Sequence, residues 1–167
     1  MPAAVVNASP LVFLARLAQL QALAFFHPVF TTGVVLREVA EGQALGRFEI
    51  LAVREEIKAG RIRARRVDPR PIPGLALDPG ELSVIRLCSR LQGAVAVVDD
   101  LAAIKAARHL GLTARSTPFV LLSSVDEGWL MADEYGRLLD RLIREGYFLA
   151  PRIHTRLLED ARDSERR

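Results

Sequence analysis

The sequence predicts a three-layer α/β/α sandwich around a mostly parallel central sheet. Three observations carry this. Short runs of small and β-branched residues, such as AAVV and GAVAVV, suit strands covered on both faces. Each run is followed by a segment with helical spacing. The connections between them are short, and alternating strands and helices with short links build parallel sheets flanked by helices.

The elements follow in order. AAVVN is a first strand, with Ser9 and Pro10 as cap and first-turn proline of a helix reaching about Leu20. HPVF is a second strand, and TTGVVLREVAEG a helix capped by Thr31 or Thr32 and ended near Gly42. Leu45 to Gly60 is helical in pattern, and RIRARRV alternates as a partly exposed strand does. DPRPIPGLALDPG is irregular. A helix then runs from Asp78 to about Leu91, burying Leu82, Ile85 and Cys88. GAVAVV is a fully covered strand ending in Asp99 and Asp100, followed by the helix LAAIKAARHLG. LTARS is a last strand, TPFVLLSSVDEG a helix, and two more helices span about Asp133 to Glu145 and Pro151 to Ala161. Residues after Asp160 are expected to fray. The main domain is taken as residues 1–130, with 131–167 a helical extension of it.

Composition narrows the function. The 167 residues, 50% of them hydrophobic, are sufficient for one core and leave little room for two. A single cysteine, Cys88, excludes an intramolecular disulfide and a zinc ribbon, and points to a reducing cytoplasm. The apolar stretch from Pro10 to Phe26 is broken by Arg16 and followed through Gln19 and Gln21, so a soluble chain is expected. Net charge is only +3, but the cations are nearly all arginine, which permits a nucleic-acid partner. The densest basic stretch, Arg61, Arg63, Arg65, Arg66 and Arg70, could track a phosphate backbone or simply form a solvated edge.

In parallel α/β folds, ligands bind outside the carboxyl ends of the strands. The polar residues expected there are Asn7, Ser9, Asp99 and Asp100, with Glu81 opening a helix and Glu38 walling the site from another. Gathered carboxylates repel, and are tolerated most easily with a hard cation such as Mg2+ or Mn2+ between them. That chemistry favours phosphodiester hydrolysis. Each residue also has a purely structural reading. Asp78 and Glu81 fit a reciprocal capping box, Asp99 or Asp100 an N-cap, and Ser9 the N-cap of the first helix. Glu41, one turn from Glu38, competes with it for the inward position. His27, His109 and His154 have no spacing that completes a metal site, and Trp129 and Tyr135 read as core or dimer contacts.

The segments VVNASPLVFLARL, VLREV, DPGELSVIRL and VVDDLAAIKAARHLGL, in this order, resemble the PIN-domain superfamily, in particular a prokaryotic subgroup described as predicted nucleic-acid-binding proteins. The resemblance runs from about Val5 to Leu122. It implies a Mg2+- or Mn2+-dependent endoribonuclease, acting on RNA as the toxin of a toxin–antitoxin pair, homodimeric and held in check by a small antitoxin protein. It implies Glu38, Glu81 and Asp100 as catalytic, Asn7, Glu81, Asp99 and Asp100 as metal ligands, and Ser9 as a supporting hydroxyl. An aspartate is expected where Asn7 stands; the amide offers an oxygen but no charge, which weakens metal binding. A PIN fold without catalysis, serving as a nucleic-acid or protein-binding module, is therefore the alternative. A phosphoacceptor domain ranks lower, because the acid pair follows a late strand.

Overall fold

The computed structural model describes residues 1–41 and 47–166. Among these residues, five strands form one sheet: β1 (Ala4–Val6), β2 (Val29–Thr32), β3 (Ile62–Arg65), β4 (Val95–Val97) and β5 (Thr113–Arg115). Their order is β3-β2-β1-β4-β5, and every neighbouring pair is parallel. β1, β2 and β4 are buried along their whole length, as their apolar composition requires, whereas edge strand β3 buries only Ile62.

Among the described residues, eight α-helices connect and cover the sheet: α1 (Ala8–Arg16), α2 (Gly33–Glu41), α3 (Arg47–Lys58), α4 (Pro79–Arg90), α5 (Leu101–His109), α6 (Thr117–Asp126), α7 (Ala132–Arg144) and α8 (Pro151–Glu165). From β1 the chain steps outward to β2 and β3, then returns across the sheet through α4 to β4 and β5. Parallel crossovers are right-handed, so this reversal puts α4 and α5 on the face opposite α1 and α3. It also creates a topological switch point between β1 and β4, where a crevice opens at the carboxyl ends. Helices α6, α7 and α8 pack on one another, with α6 also against α1. Among the described residues, no helix is long and apolar enough to cross a membrane.

Several local expectations change. The first helix ends at Arg16, a turn short of Leu20, and a 3-10 segment, Leu20–Phe25, follows. The break falls at Ala18, whose φ of 55° is left-handed. The chain does not fray after Asp160: α8 continues to Glu165 because Ala161 is fully buried and Ser164 Oγ bonds Asp126 Oδ1. The helix end expected at Gly42 and the helix start expected at Leu45 lie outside the described residues. Tyr135 is core, its hydroxyl donating to Pro118 O, while Trp129 is 54% exposed and lies against Phe25. Cys88 is fully buried, and burial pushes its thiol up to about 11, so it is no nucleophile.

Thr32 links the sheet to two helices. Its Oγ1 accepts from Val35 N at 3.2 Å, capping α2, and lies 2.7 Å from Ser83 Oγ on α4. Ser83 spends its proton on Gly80 O, so the Thr32 hydroxyl donates to Ser83. Thr32→Val removes the cap and the bridge at near-constant shape. The expected cost is about 1–2 kcal/mol, read as a lower urea midpoint with an unchanged m-value.

Candidate active site

Asn7 follows β1 and Asp99 follows β4, so the two flank the switch point. Asp99 does not present a free carboxylate. Its Oδ1 accepts from Thr117 N (2.7 Å) and Tyr147 OH (3.1 Å), and its Oδ2 from Ser9 Oγ (2.9 Å) and Thr117 Oγ1 (2.8 Å). Burial raises its pKa, and the bonds from Thr117, Ser9 and Tyr147 pull the other way without cancelling that rise. Asp99 was expected as a metal ligand; here both oxygens are committed to protein donors. Ser9, expected as the N-cap of the first helix or as a supporting hydroxyl of the site, sits inside α1 and holds Asp99.

Asp100, one residue on, is the N-cap of α5. Its Oδ1 accepts from Ala102 N (2.8 Å) and Ala103 N (3.1 Å), so the capping role is satisfied by one oxygen and leaves the exposed Oδ2 with no protein partner among the described residues. Glu81 likewise does two things. The capping box is formed, with Glu81 N donating to Asp78 Oδ1 (2.8 Å) and Asp78 N to Glu81 Oε2 (3.0 Å), yet the side chain is 7% exposed and faces other acids. Burial raises its pKa, and the charges of Asp78, Asp100 and Glu38 raise it further against the opposing Asp78 N–H.

Glu38, rather than the exposed Glu41, turns inward from α2. Its carboxylate rests on the Gly80 backbone: a Cβ at position 80 would collide with both Glu38 carboxylate oxygens. Burial and then Asp78 raise the Glu38 pKa, opposed by the Gly80 N–H. Glu38, Glu81 and Asp100 therefore form one electrostatically coupled group, gathered by α2, α4 and the β4–α5 turn. Asn7 contributes something different. The residue is 6% exposed, its Oδ1 is buried with no hydrogen-bond partner, and its side chain makes no cap for α1. A buried amide oxygen left unpaired costs roughly 1–3 kcal/mol, and is explained most simply by a partner that is not protein.

The donor set fits a hard divalent cation in kind: three carboxylates and an amide oxygen, with no nitrogen or sulfur. Among the described residues, no three of histidine, cysteine, aspartate and glutamate stand close enough to hold a metal ion in this arrangement. His27, His109 and His154 are not part of the group.

The basic stretch is divided by the sheet. Arg61 pairs bidentately with Glu56 (2.6 and 2.9 Å), and Arg61 and Arg63 line a cleft of about 220 Å³ with Phe26 and His27 at the amino ends of the strands, away from the acids. Arg70 pairs with Asp68. Arg65, beside Thr32 in the sheet register, lies with its guanidinium 5.1 Å from the Phe30 ring centroid, and Arg66 follows it at the carboxyl edge. Of Arg61, Arg63, Arg65 and Arg66, only Arg65 and Arg66 stand at the carboxyl ends of the strands.

Thr117, Tyr147 and Gly80 were not among the expected site residues. Thr117 had a readable signal, since it opens a helix just after a strand as Asp100 does. Gly80 carried only its place in the capping box, and Tyr147, 48 positions from Asp99, carried none.

Glu38 and Glu81 hold their protons to higher pH in the folded chain than in the unfolded one, where the ordinary value is near 4.5. The stability linked to them is present below that value and is lost as pH rises through the raised folded values. Urea unfolding in EDTA should show this downward slope, and Glu38→Gln, which keeps an acceptor for Gly80 N, should flatten it.

A family model described as DUF3368, PIN domain, matches residues 3–163 of the chain. Among solved structures, a PilT N-terminus domain protein from the hyperthermophilic archaeon Sulfolobus solfataricus P2 aligns with a TM-score of 0.55 at 19% identity, covering 73% of this chain and 92% of that one. No curated protein matches the sequence.

Proposed function

Since the chain belongs to the PIN-domain family, whose members are generally nucleases, we propose that it is a divalent-metal-dependent nuclease that hydrolyses phosphodiester bonds in RNA. The observation that carries this reading is the unpaired, buried Asn7 Oδ1 at the switch point that also gathers Glu38, Glu81 and Asp100. Asn7, Glu81 and Asp100 are the residues that would hold Mg2+ or Mn2+. When bound, the cation would activate water and stabilise charge on the phosphate.

The chain's own groups have separable tasks. Asp100 presents Oδ2 while its Oδ1 stays on the α5 amides, so the carboxylate is oriented before any ligand arrives. Glu38, raised in pKa and half-buried, is suited to accept a proton from the attacking water. Asp99, clamped by Ser9, Thr117 and Tyr147, fixes the backbone from which Asp100 projects. Attack on phosphorus with departure of the 3′ oxygen leaves a 5′ phosphate. The toxin role, with a small antitoxin as partner, and the homodimer remain with this reading as consequences of family likeness.

Asn7 favours a second reading, a PIN fold retained for binding. Three variants separate the two. Asp100→Asn should abolish saturable Mn2+ binding, followed by calorimetry, and RNA cleavage with it; cleavage at the wild-type rate would refute the nuclease reading. Asn7→Asp should tighten Mn2+ binding about tenfold or more by restoring one charge. A silent wild type that gains cleavage through Asn7→Asp would establish the binding-module reading instead. Gly80→Ala should displace the Glu38 carboxylate, because the new methyl occupies its place. The fold should tolerate this within about 1 kcal/mol, since alanine is the better helix former, while turnover falls and thermal midpoint stays nearly constant.

A further inference from the structure

Strand β3 forms one edge of the sheet, and its outer side is open. Its residues Ile62–Arg65 pair in register with β2 and with no other strand. Among the described residues, no other segment hydrogen-bonds to the β3 backbone. Arg63, Ala64, Arg65 and Arg66 are all exposed, and since successive side chains alternate, both faces of the edge are uncovered. A row of unpaired N–H and C=O groups, beside a side chain as small as that of Ala64, is a template for a further strand.

Charge indicates the kind of strand. Arg61 and Arg70 are paired with Glu56 and Asp68, but Arg63, Arg65 and Arg66 between them form no ion pair among the described residues. The edge from residue 62 to 66 thus carries three unpaired cations and no anion. Arg63 and Arg65, two residues apart, share one face, about 7 Å apart along the strand. Arg65 is steadied there, its guanidinium 5.1 Å from the ring centroid of Phe30, the register partner of Arg63. A second copy of this edge would set arginine against arginine, so the charge guards against self-pairing. It does not guard against a strand of opposite sign.

The backbone separates the two classes of anionic partner. Phosphate oxygens of a nucleic acid accept from arginines and N–H groups but offer nothing to the outward C=O groups. An extended polypeptide answers both rows, and acidic side chains at every second position meet Arg63 and Arg65.

We propose that the open edge of β3 is a docking site for an acidic, extended segment of a partner protein, which adds to the sheet as a further strand. The inference does not rest on the nuclease reading, and neither result decides the other.

The test is fluorescence anisotropy with the full chain and a labelled peptide of alternating glutamate and valine, about eight residues long, within the usual length of a strand. It should bind saturably, and the same peptide with lysine for glutamate should not. N-methylating either the glutamates or the valines should weaken binding about tenfold or more in one case and little in the other, because only alternate N–H groups face the edge. Arg63→Glu should weaken binding of the acidic peptide about threefold to thirtyfold, an attractive cross-strand pair made repulsive, and should strengthen binding of the lysine peptide. Its thermal midpoint should stay nearly constant, since Arg63 is exposed and unpaired. Amide hydrogen exchange in residues 62–66 should slow when the acidic peptide is bound.

No binding of the acidic peptide at millimolar concentration would overturn the proposal and leave the arginines as a guarded edge. Equal affinity of wild type and Arg63→Glu, equal binding of both N-methylated peptides, or slowed exchange only outside residues 62–66 would overturn it too. So would single-stranded RNA that binds in EDTA and is lost in Arg63→Glu while the acidic peptide fails to bind, which would give the edge to nucleic acid.

Discussion

Asp99 joins pieces of chain that are far apart in sequence. Through four hydrogen bonds it connects the first turn of α1, the amino end of α6 and the α7–α8 connection to the end of β4. A carboxylate drawn partly out of water needs its oxygens satisfied, and here they are, by one amide and three hydroxyls. The C-terminal helices are thereby fixed to the crevice between β1 and β4, and the adjacent Asp100 inherits a defined direction. Charge-assisted bonds of this kind are worth more than neutral ones, so the arrangement resists opening where the crevice needs to stay shaped.

The acids on the other side of the turn are in the opposite condition. The charges of Asp78, Asp100 and Glu38 all act against an ionised Glu81, Asp78 and Glu41 act against an ionised Glu38, and only part of each of the Glu38, Glu81 and Asp100 carboxylates is occupied by a backbone amide. Capping and site roles do not compete here, because a carboxylate has two oxygens and a cap uses one. That resolves the choice between structural and chemical readings of Glu81 and Asp100: the same side chain starts a helix and faces the crevice. The helix start is what brings the acid there, since α4 and α5 both begin at the carboxyl edge of the sheet.

The sequence made the sheet legible because its strands are buried on both faces and carry little but small and β-branched residues. It made the acid positions legible because they follow strands or open helices, and topology then brings them together. What it could not give was direction. Asp99 and Asp100 are neighbours with equal claims in one dimension; only the three-dimensional placing of Thr117 and Tyr147 turns one into an anchor and leaves the other free. The arginines failed for a related reason. A strand runs from one edge of a sheet to the other, so a basic run along β3 is delivered partly to the carboxyl ends of the strands, at Arg65 and Arg66, and partly to the far end, at Arg61 and Arg63.

Asn7 shows what the crevice gains and gives up. A carboxylate there would add a fourth charge to three that already repel, at a position 6% exposed, where charge is costly without a counter-ion. The amide avoids that cost, so the fold can hold the crevice together before a cation arrives. It keeps an oxygen pointing at no protein donor, and so keeps a ligand atom while lowering the field that attracts the ion. Weaker cation affinity would then follow from the same amide that spares the crevice a further negative charge. On the proposed nuclease reading, a substrate that brings its own phosphate oxygens to the cation would compensate for the missing charge. If the proposed nuclease reading holds, metal and phosphate substrate would bind cooperatively at the switch point, each supplying part of what Asn7 withholds.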